Sequence, residues 1–160
     1  MVLENKFGVE TWPVPVLRFS KNELPTYAHD YDAGCDCRAN LPGPEITSIV
    51  LHPGEIKVVP LGFAAAIPPG HFGMITPRSG LAAKFGIGIV NAPGIIDSGF
   101  RDQWGAILVN HSRKPFAVNN GDRICQLVLM KYVQADFKEV DKLHNIDERG
   151  QDGLGSTGVK

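Results

Sequence analysis

A chain of 160 residues is the length of one domain able to bury a real core. Its 16 basic and 17 acidic side chains leave a net charge of −1, which gives no global electrostatic basis for gripping nucleic acid or an anionic membrane, so any anion site must be local. With 18 glycines, 12 prolines and no repeat, the composition signals many tight turns, and no apolar run reaches the roughly 18 residues of a membrane span. The acid-bearing N-terminus has no signal-peptide pattern, which predicts a cytoplasmic protein, and three cysteines in such a chain predict reduced thiols.

Residues 11–20, T-W-P-V-P-V-L-R-F-S, alternate around two prolines and suit an edge strand, where a missing N–H costs little. Residues 33–39, A-G-C-D-C-R-A, read as a short strand with Cys35 and Cys37 on one face and Asp36 on the other. Asp is usually exposed, so the plain reading of Asp36 is a solvent-facing residue. Zinc on Cys35 and Cys37 would need Cys125 and a scattered histidine to complete four ligands, and buried structural cysteines are the simpler reading. Residues 46–51 and 55–63 are strand-like about a His52-Pro53-Gly54 turn, and 72–76 is a further strand.

Residues 79–86, S-G-L-A-A-K-F-G, are the exception to the strand pattern. Ser79 suits an N-cap, Leu-Ala-Ala-Lys favours helix, and Gly86 suits the C′ position, which predicts a short helix directly after Arg78. Free N–H groups, a hydroxyl and a guanidinium then meet in one small volume, as a phosphate requires. An ordinary capped helix beside a surface Arg is the alternative. Residues 91–100, N-A-P-G-I-I-D-S-G-F, read as a β-hairpin with a type II turn at Ala92-Pro93-Gly94-Ile95. Asp97 stands at its base, and the same residue suits capping the Ser98-Gly99 turn.

Residues 104–110 and 124–132 are apolar enough to be buried strands, the second interrupted by Gln126, which needs partners if buried. Residues 149–158, R-G-Q-D-G-L-G-S-T-G, hold four glycines and read as a flexible tail. With Arg149, Ser156 and Thr157 the same stretch suits wrapping a phosphate on binding, although no G-K-[ST] occurs and it is no Walker loop. Short strands throughout, with at most one helix, predict an all-β sandwich, jelly roll or barrel.

Five segments in this order, A-G-C-D-C-R-A (33–39), P-R-S-G-L-A-A-K-F-G-I (77–87), N-A-P-G-I-I-D-S-G-F-R (91–101), G-D-R-I-C-Q-L (121–127) and R-G-Q-D-G-L-G-S-T-G (149–158), resemble the motifs of the trimeric dUTPase family. The resemblance implies a jelly-roll or distorted β-barrel domain over 1–148, one short helix after Arg78, and a flexible arm over 149–160 that closes on the site. It also implies a homotrimer with interface active sites, Mg2+ as cofactor, and hydrolysis of dUTP to dUMP and pyrophosphate, with no nucleic-acid or membrane partner. On matched positions, Asp97 resembles the general base that activates the water attacking the α-phosphorus. Arg78, Ser79, Gly80 and Gln126 resemble the triphosphate contacts, Gln126 reaching from a neighbouring subunit. Asp36 resembles the residue that holds Mg2+ through a coordinated water. Asn91, Gly94, Ile95 and Ile96 would read uracil with backbone groups and leave no room for a methyl on C5, and Phe100 would stack beneath deoxyribose. Arg149, Gly155, Ser156 and Thr157 would hold the outer phosphates, and Leu154 would cover the base.

Departures from the family pattern fall in three places. Phe100 stands for a usual Tyr, Arg101-Asp102-Gln103-Trp104 replaces a common R-G-E-V, and in the arm Leu154 replaces an aromatic and Asp152 a Gly. Leu covers a base without stacking on it, which predicts a looser lid. Residues 96–100 also echo the related dCTP deaminases, but the position of their proton-shuttling glutamate holds Ile107, which carries no proton. A nucleotide-binding switch without catalysis is a further alternative, against which Asp36, Asp97, Arg78 and Gln126 all stand intact.

Overall fold

The computed structural model describes residues 3–143 apart from 5 and 44. Along them run β1 (Leu3–Glu4), β2 (Glu10–Thr11), β3 (Val16–Arg18), β4 (Cys35–Arg38), β5 (Ser48–Leu51), β6 (Ile56–Pro60), β7 (Phe63–Ala65), β8 (His71–Pro77), α1 (Ser79–Phe85), β9 (Ile87–Ile89), β10 (Gly94–Ile96), β11 (Gly105–Asn110), β12 (Phe116–Asn119) and β13 (Arg123–Lys131). They form an all-β jelly roll. Its four-stranded sheet runs β10-β8-β13-β4, its three-stranded sheet β6-β11-β9, and β1-β2, β3-β7 and β12-β5 make two-stranded pairs.

Strand periodicity sets the layers. In β8 the inward His71, Gly73 and Ile75 are buried, whereas Phe72, Met74 and Thr76 are only partly so, as alternation on a sheet with one face on the core requires. Between the sheets, Trp104, Leu51, Leu108, Val59 and Val118 are fully buried. Phe63 and Trp104 meet with ring centroids 5.0 Å apart, tilted 52°, a geometry that adds about 1 kcal/mol to their burial.

Three local expectations are corrected. Residues 11–20 are two strands, because Pro13 and Pro15 lie between β2, which pairs with β1, and β3, which pairs with β7; proline has no N–H to continue a ladder. Residues 55–63 break after Pro60, because Gly62 takes a φ of +77° and turns the chain from β6 to β7. Residues 91–100 are a corner and not a hairpin: β9 pairs with β11 and β10 with β8, so the chain changes sheets. The Ala92–Pro93 bond is cis, and Gly94, the first residue of β10, lacks the positive φ of a type II turn.

The Gly62 bend carries an expected result. A Cβ there would overlap Ser20 Oγ and come within 2.9 Å of Asn40 Cβ, in a backbone conformation that side chains rarely adopt. Gly62→Ala is expected to cost about 2–4 kcal/mol, read as a lower urea midpoint; an unchanged midpoint would show that Ser20 and Asn40 move aside freely.

Candidate active site

Asp36 lies on β4 with Cys35 and Cys37 turned to the core side, as period two requires. It is not solvent-facing: the residue is 5% exposed. Two neighbours bury it. Thr26 makes an isolated bridge to the free edge of β4, exchanging backbone bonds with Asp36 at 3.3 and 2.8 Å, and side chains from distant elements converge on the carboxylate. Oδ1 accepts from Arg78 Nε at 2.9 Å and Gln126 Nε2 at 3.4 Å, and Oδ2 accepts from Arg123 Nη1 at 3.0 Å and Arg78 Nη2 at 3.4 Å. Arg78 Nη1 also donates to the Arg123 carbonyl at 3.1 Å. A buried carboxylate demands such pairing, since taking the charge out of water costs several kcal/mol.

The helix after Arg78 forms as expected, with its N-cap moved from Ser79 to Arg78. The N–H groups of Leu81 and Ala82 both reach the Arg78 carbonyl at 3.0 Å, so Arg78 is the N-cap and Ser79 the first helical residue. The Arg78 side chain makes no capping bond, because it is committed to Asp36. Ser79 and Gly80 are exposed, and N–H groups at these positions have no partner within a helix. Gly86 ends the helix with φ 66°. The Arg78 guanidinium thus meets Asp36, and the exposed Ser79 and Gly80 follow it directly in the chain.

At the corner, Gly94 is buried and a Cβ on it would lie 3.3 Å from Asn91 Nδ2. The Asn91 carboxamide therefore sits against the Gly94 backbone. Ile95 is 52% exposed, and Phe100 42%. Asp97 is exposed, and with Phe72, Ile95, Tyr132 and Gln134 it lines a cleft of about 270 Å3. The turn that follows is closed by the Asp97 carbonyl, which accepts from Phe100 N at 3.1 Å. Among the described residues the Asp97 carboxylate takes no hydrogen bond, so it does not cap that turn. A larger cleft of about 600 Å3, between Arg18–Asn22 and Asn40–Gly43, holds none of the expected site residues.

Ladder register ties the two groups to one surface. Gln126 is opposite both Asp36 and Thr76, and Met74 is opposite both Val128 and Ile95, so these side chains share one face. The Asp36 cluster occupies its β4 end and the Asp97 corner its β10 edge. Between them, Phe72, Met74, Val128 and Met130 form an apolar strip that this chain leaves partly open. Arg149, Leu154, Gly155, Ser156 and Thr157 lie outside the described residues, as does the whole segment expected to be an arm. Arg123 was not anticipated from the sequence, although the break in alternation at Arg123-Ile124-Cys125-Gln126 marks it.

The donor set bears on metals. Four hydrogen bonds saturate the lone pairs of Asp36, leaving none for direct coordination. The site fits a Mg2+ carried on phosphates and met through water, once the two 3.4 Å contacts yield. Behind Asp36, the three cysteines are buried and unbridged. The Cys37 thiol beside it holds Cys35 below the usual thiol range, whereas bonding with Cys125 and Cys35 and burial push Cys37 well up. Among the described residues no three His, Cys, Asp or Glu side chains form a metal cluster, and no helix is long and apolar enough to cross a membrane.

Known proteins are similar to this chain in sequence and fold. The family model for dUTPase matches residues 20–158. Deoxyuridine 5'-triphosphate nucleotidohydrolase of Anaeromyxobacter sp. (strain Fw109-5) is 48% identical over 136 residues, 85% of this chain and 88% of that protein. The enzyme of the same name from Maricaulis maris (strain MCS10) is 42% identical over 146 residues, 91% of this chain and 94% of its own. Among solved structures, Staphylococcus bacteriophage 80alpha dUTPase with dUPNHPP is 27% identical with a TM-score of 0.81, covering 93% of this chain and 100% of that one. A dUTPase variant from phage phi11 of S. aureus, whose structure details the coordination of a structural Mg(II) ion, is similar in fold at 24% identity and a TM-score of 0.73, covering 83% of this chain and 99% of that one.

Proposed function

Because this chain belongs to the dUTPase family, we propose that it is a dUTP diphosphatase that hydrolyses dUTP to dUMP and pyrophosphate, with Asp97 activating the water that attacks the α-phosphorus. The observation that carries this reading is the Asp36-centred cluster of two guanidiniums beside an open helix start, an anion receptor on the same sheet face as a free carboxylate. Arg78, Ser79, Gly80 and Gln126 bind the phosphate chain. The backbone of 94–97, with Asn91 folded against Gly94, pairs the uracil edge. A site that hydrogen-bonds N3–H and O4 leaves the reversed groups of cytosine unpaired and so rejects it. Phe100, half-exposed, offers its ring to the sugar. The exposed Asp97 carboxylate, free of other partners among the described residues, takes the proton as the water attacks.

Mg2+ arriving on the triphosphate supplies charge neutralisation at the phosphates, and Asp36 is the residue that would meet it through water. We propose a homotrimer in which the anion cluster of one copy faces the Asp97 corner of another. The open apolar strip Phe72-Met74-Val128-Met130 supports this, as do Val133 and Phe137, 96% and 94% exposed. The segment 149–160 acts as the closing arm: its deletion is expected to lower dUTP turnover at least about 100-fold while the oligomer persists by light scattering. Undiminished turnover would make the segment a bystander.

Pyrophosphate release across dUTP, dCTP, dTTP and UTP, with and without Mg2+, tests the function; fast release from dUTP alone, lost without Mg2+, is expected. A second reading is favoured by the phage 80alpha relative, described among phage dUTPases that control transfer of virulence genes by a G protein-like mechanism. On that reading nucleotide binding alone would signal, and the absence of turnover would favour it.

A further inference from the structure

We propose that the cleft of about 600 Å3 between residues 18–22 and 40–43 is a second ligand site, which takes a nucleotide with its phosphate on Arg18, Lys21 and Asn120 and its base over Phe19. The proposal goes beyond the dUTPase reading and does not rest on it. None of Asp36, Arg78, Asp97, Arg123 and Gln126 lines this cleft, and its charged walls, Arg18 and Lys21, are both positive. No acid answers them there. Glu23, next along the chain, is taken by Arg38. A volume of this order suits a small ligand.

The walls are held in place before any ligand arrives. Asn22 Nδ2 donates to the Ala39 carbonyl at 2.9 Å and to Asn120 Oδ1 at 3.3 Å, and Leu41 N donates to the same Asn120 oxygen at 3.0 Å. Three separate segments are thereby tied together. Since a backbone N–H can only donate, the Asn120 atom it meets is the oxygen, and Nδ2 keeps two N–H groups with no partner among the described residues. Arg18 is fixed in a similar way: its Nη2 donates to the Asn22 carbonyl, and among the described residues Nε, Nη1 and the Lys21 ammonium have no partner. Behind them Ser20 and Asn40 pack against the Gly62 bend so closely that even a Cβ would overlap both. Fixed donors, two of them charged and none opposed by an acid, suit phosphate oxygens. Phe19 lines the same cleft, is 49% exposed and is no part of the core, so its ring is open to a base, and stacking accepts any base because each has a π-face. Ring and donors together match the two ends of a nucleotide.

The test titrates the full chain by calorimetry with adenosine 5'-monophosphate, inorganic phosphate and adenosine, in wild type, Lys21→Gln and Phe19→Ala, with and without an unhydrolysable dUTP analogue. Adenosine 5'-monophosphate is expected to bind at least about tenfold more tightly than phosphate or adenosine alone, because it meets donors and ring together, and the dUTP analogue should leave its affinity unchanged. Lys21→Gln should weaken it about tenfold. This variant loses no bond among the described residues, so its urea midpoint and its dUTP turnover should match wild type. Phe19→Ala should weaken adenosine 5'-monophosphate about tenfold and leave inorganic phosphate as it was. Wild-type affinity for the nucleotide in both variants would overturn the proposal, as would its displacement by the dUTP analogue, which would place it in the dUTP site. Binding no tighter than that of inorganic phosphate would overturn it too.

Discussion

Asp97→Asn is expected to lower kcat for dUTP hydrolysis by about 100- to 10,000-fold, the usual contribution of a positioned general base, while an unhydrolysable dUTP analogue still binds within about twofold of wild type. The carboxamide keeps the size of the side chain and loses the capacity to take a proton. Binding survives because the groups assigned to the base, sugar and phosphates lie on Asn91, the 94–97 backbone, Phe100 and the Asp36 cluster. Stability should not move, since Asp97 is exposed and its carboxylate holds no hydrogen bond among the described residues. Isothermal calorimetry with the analogue, beside steady-state kinetics, separates the two effects. Equal loss of binding and rate would contradict the assignment of Asp97 as base.

Asp36→Asn is expected to do the opposite, weakening the fold and binding together. The carboxamide turns an NH2 group toward at least one of the two guanidiniums and leaves two positive charges side by side without a counter-charge. Losing one partner of a buried ion pair costs about 3–5 kcal/mol. Here the guanidiniums are 25% and 46% exposed, and water screens them, so about 2–3 kcal/mol is expected in a urea titration. Binding of dUTP should fall about 10- to 100-fold, because Arg78 and Arg123 lose the acceptor that orients them. A stable variant with unaltered affinity would show that the cluster is no anion receptor.

Much of this was legible from local pattern, and the remainder failed where distant elements decide. Period two correctly set Asp36 opposite Cys35 and Cys37, yet nothing local could show that the opposite face lies beneath Thr26, Arg78 and Arg123, which come from residues 10 to 87 positions away. The helix at 79–85 was carried by Leu-Ala-Ala-Lys and Gly86; its cap moved because the Arg78 carbonyl, and not the Ser79 hydroxyl, meets the first N–H groups. Residues 91–100 read as a hairpin because Pro-Gly suits a type II turn, but the strands on either side find stronger partners in β11 and β8. The bulge at Ile124-Cys125, where the register with β4 shifts, was readable as two consecutive apolar residues between two polar ones, and it is what brings Arg123 to the site.

The most direct test of the central claim is hydrolysis of dUTP in 18O-labelled water followed by mass spectrometry of both products. Attack on the α-phosphorus by a water that Asp97 activates places the label in dUMP and none in pyrophosphate. Label found in pyrophosphate, or label entering dUMP at the wild-type rate in Asp97→Asn, would contradict it.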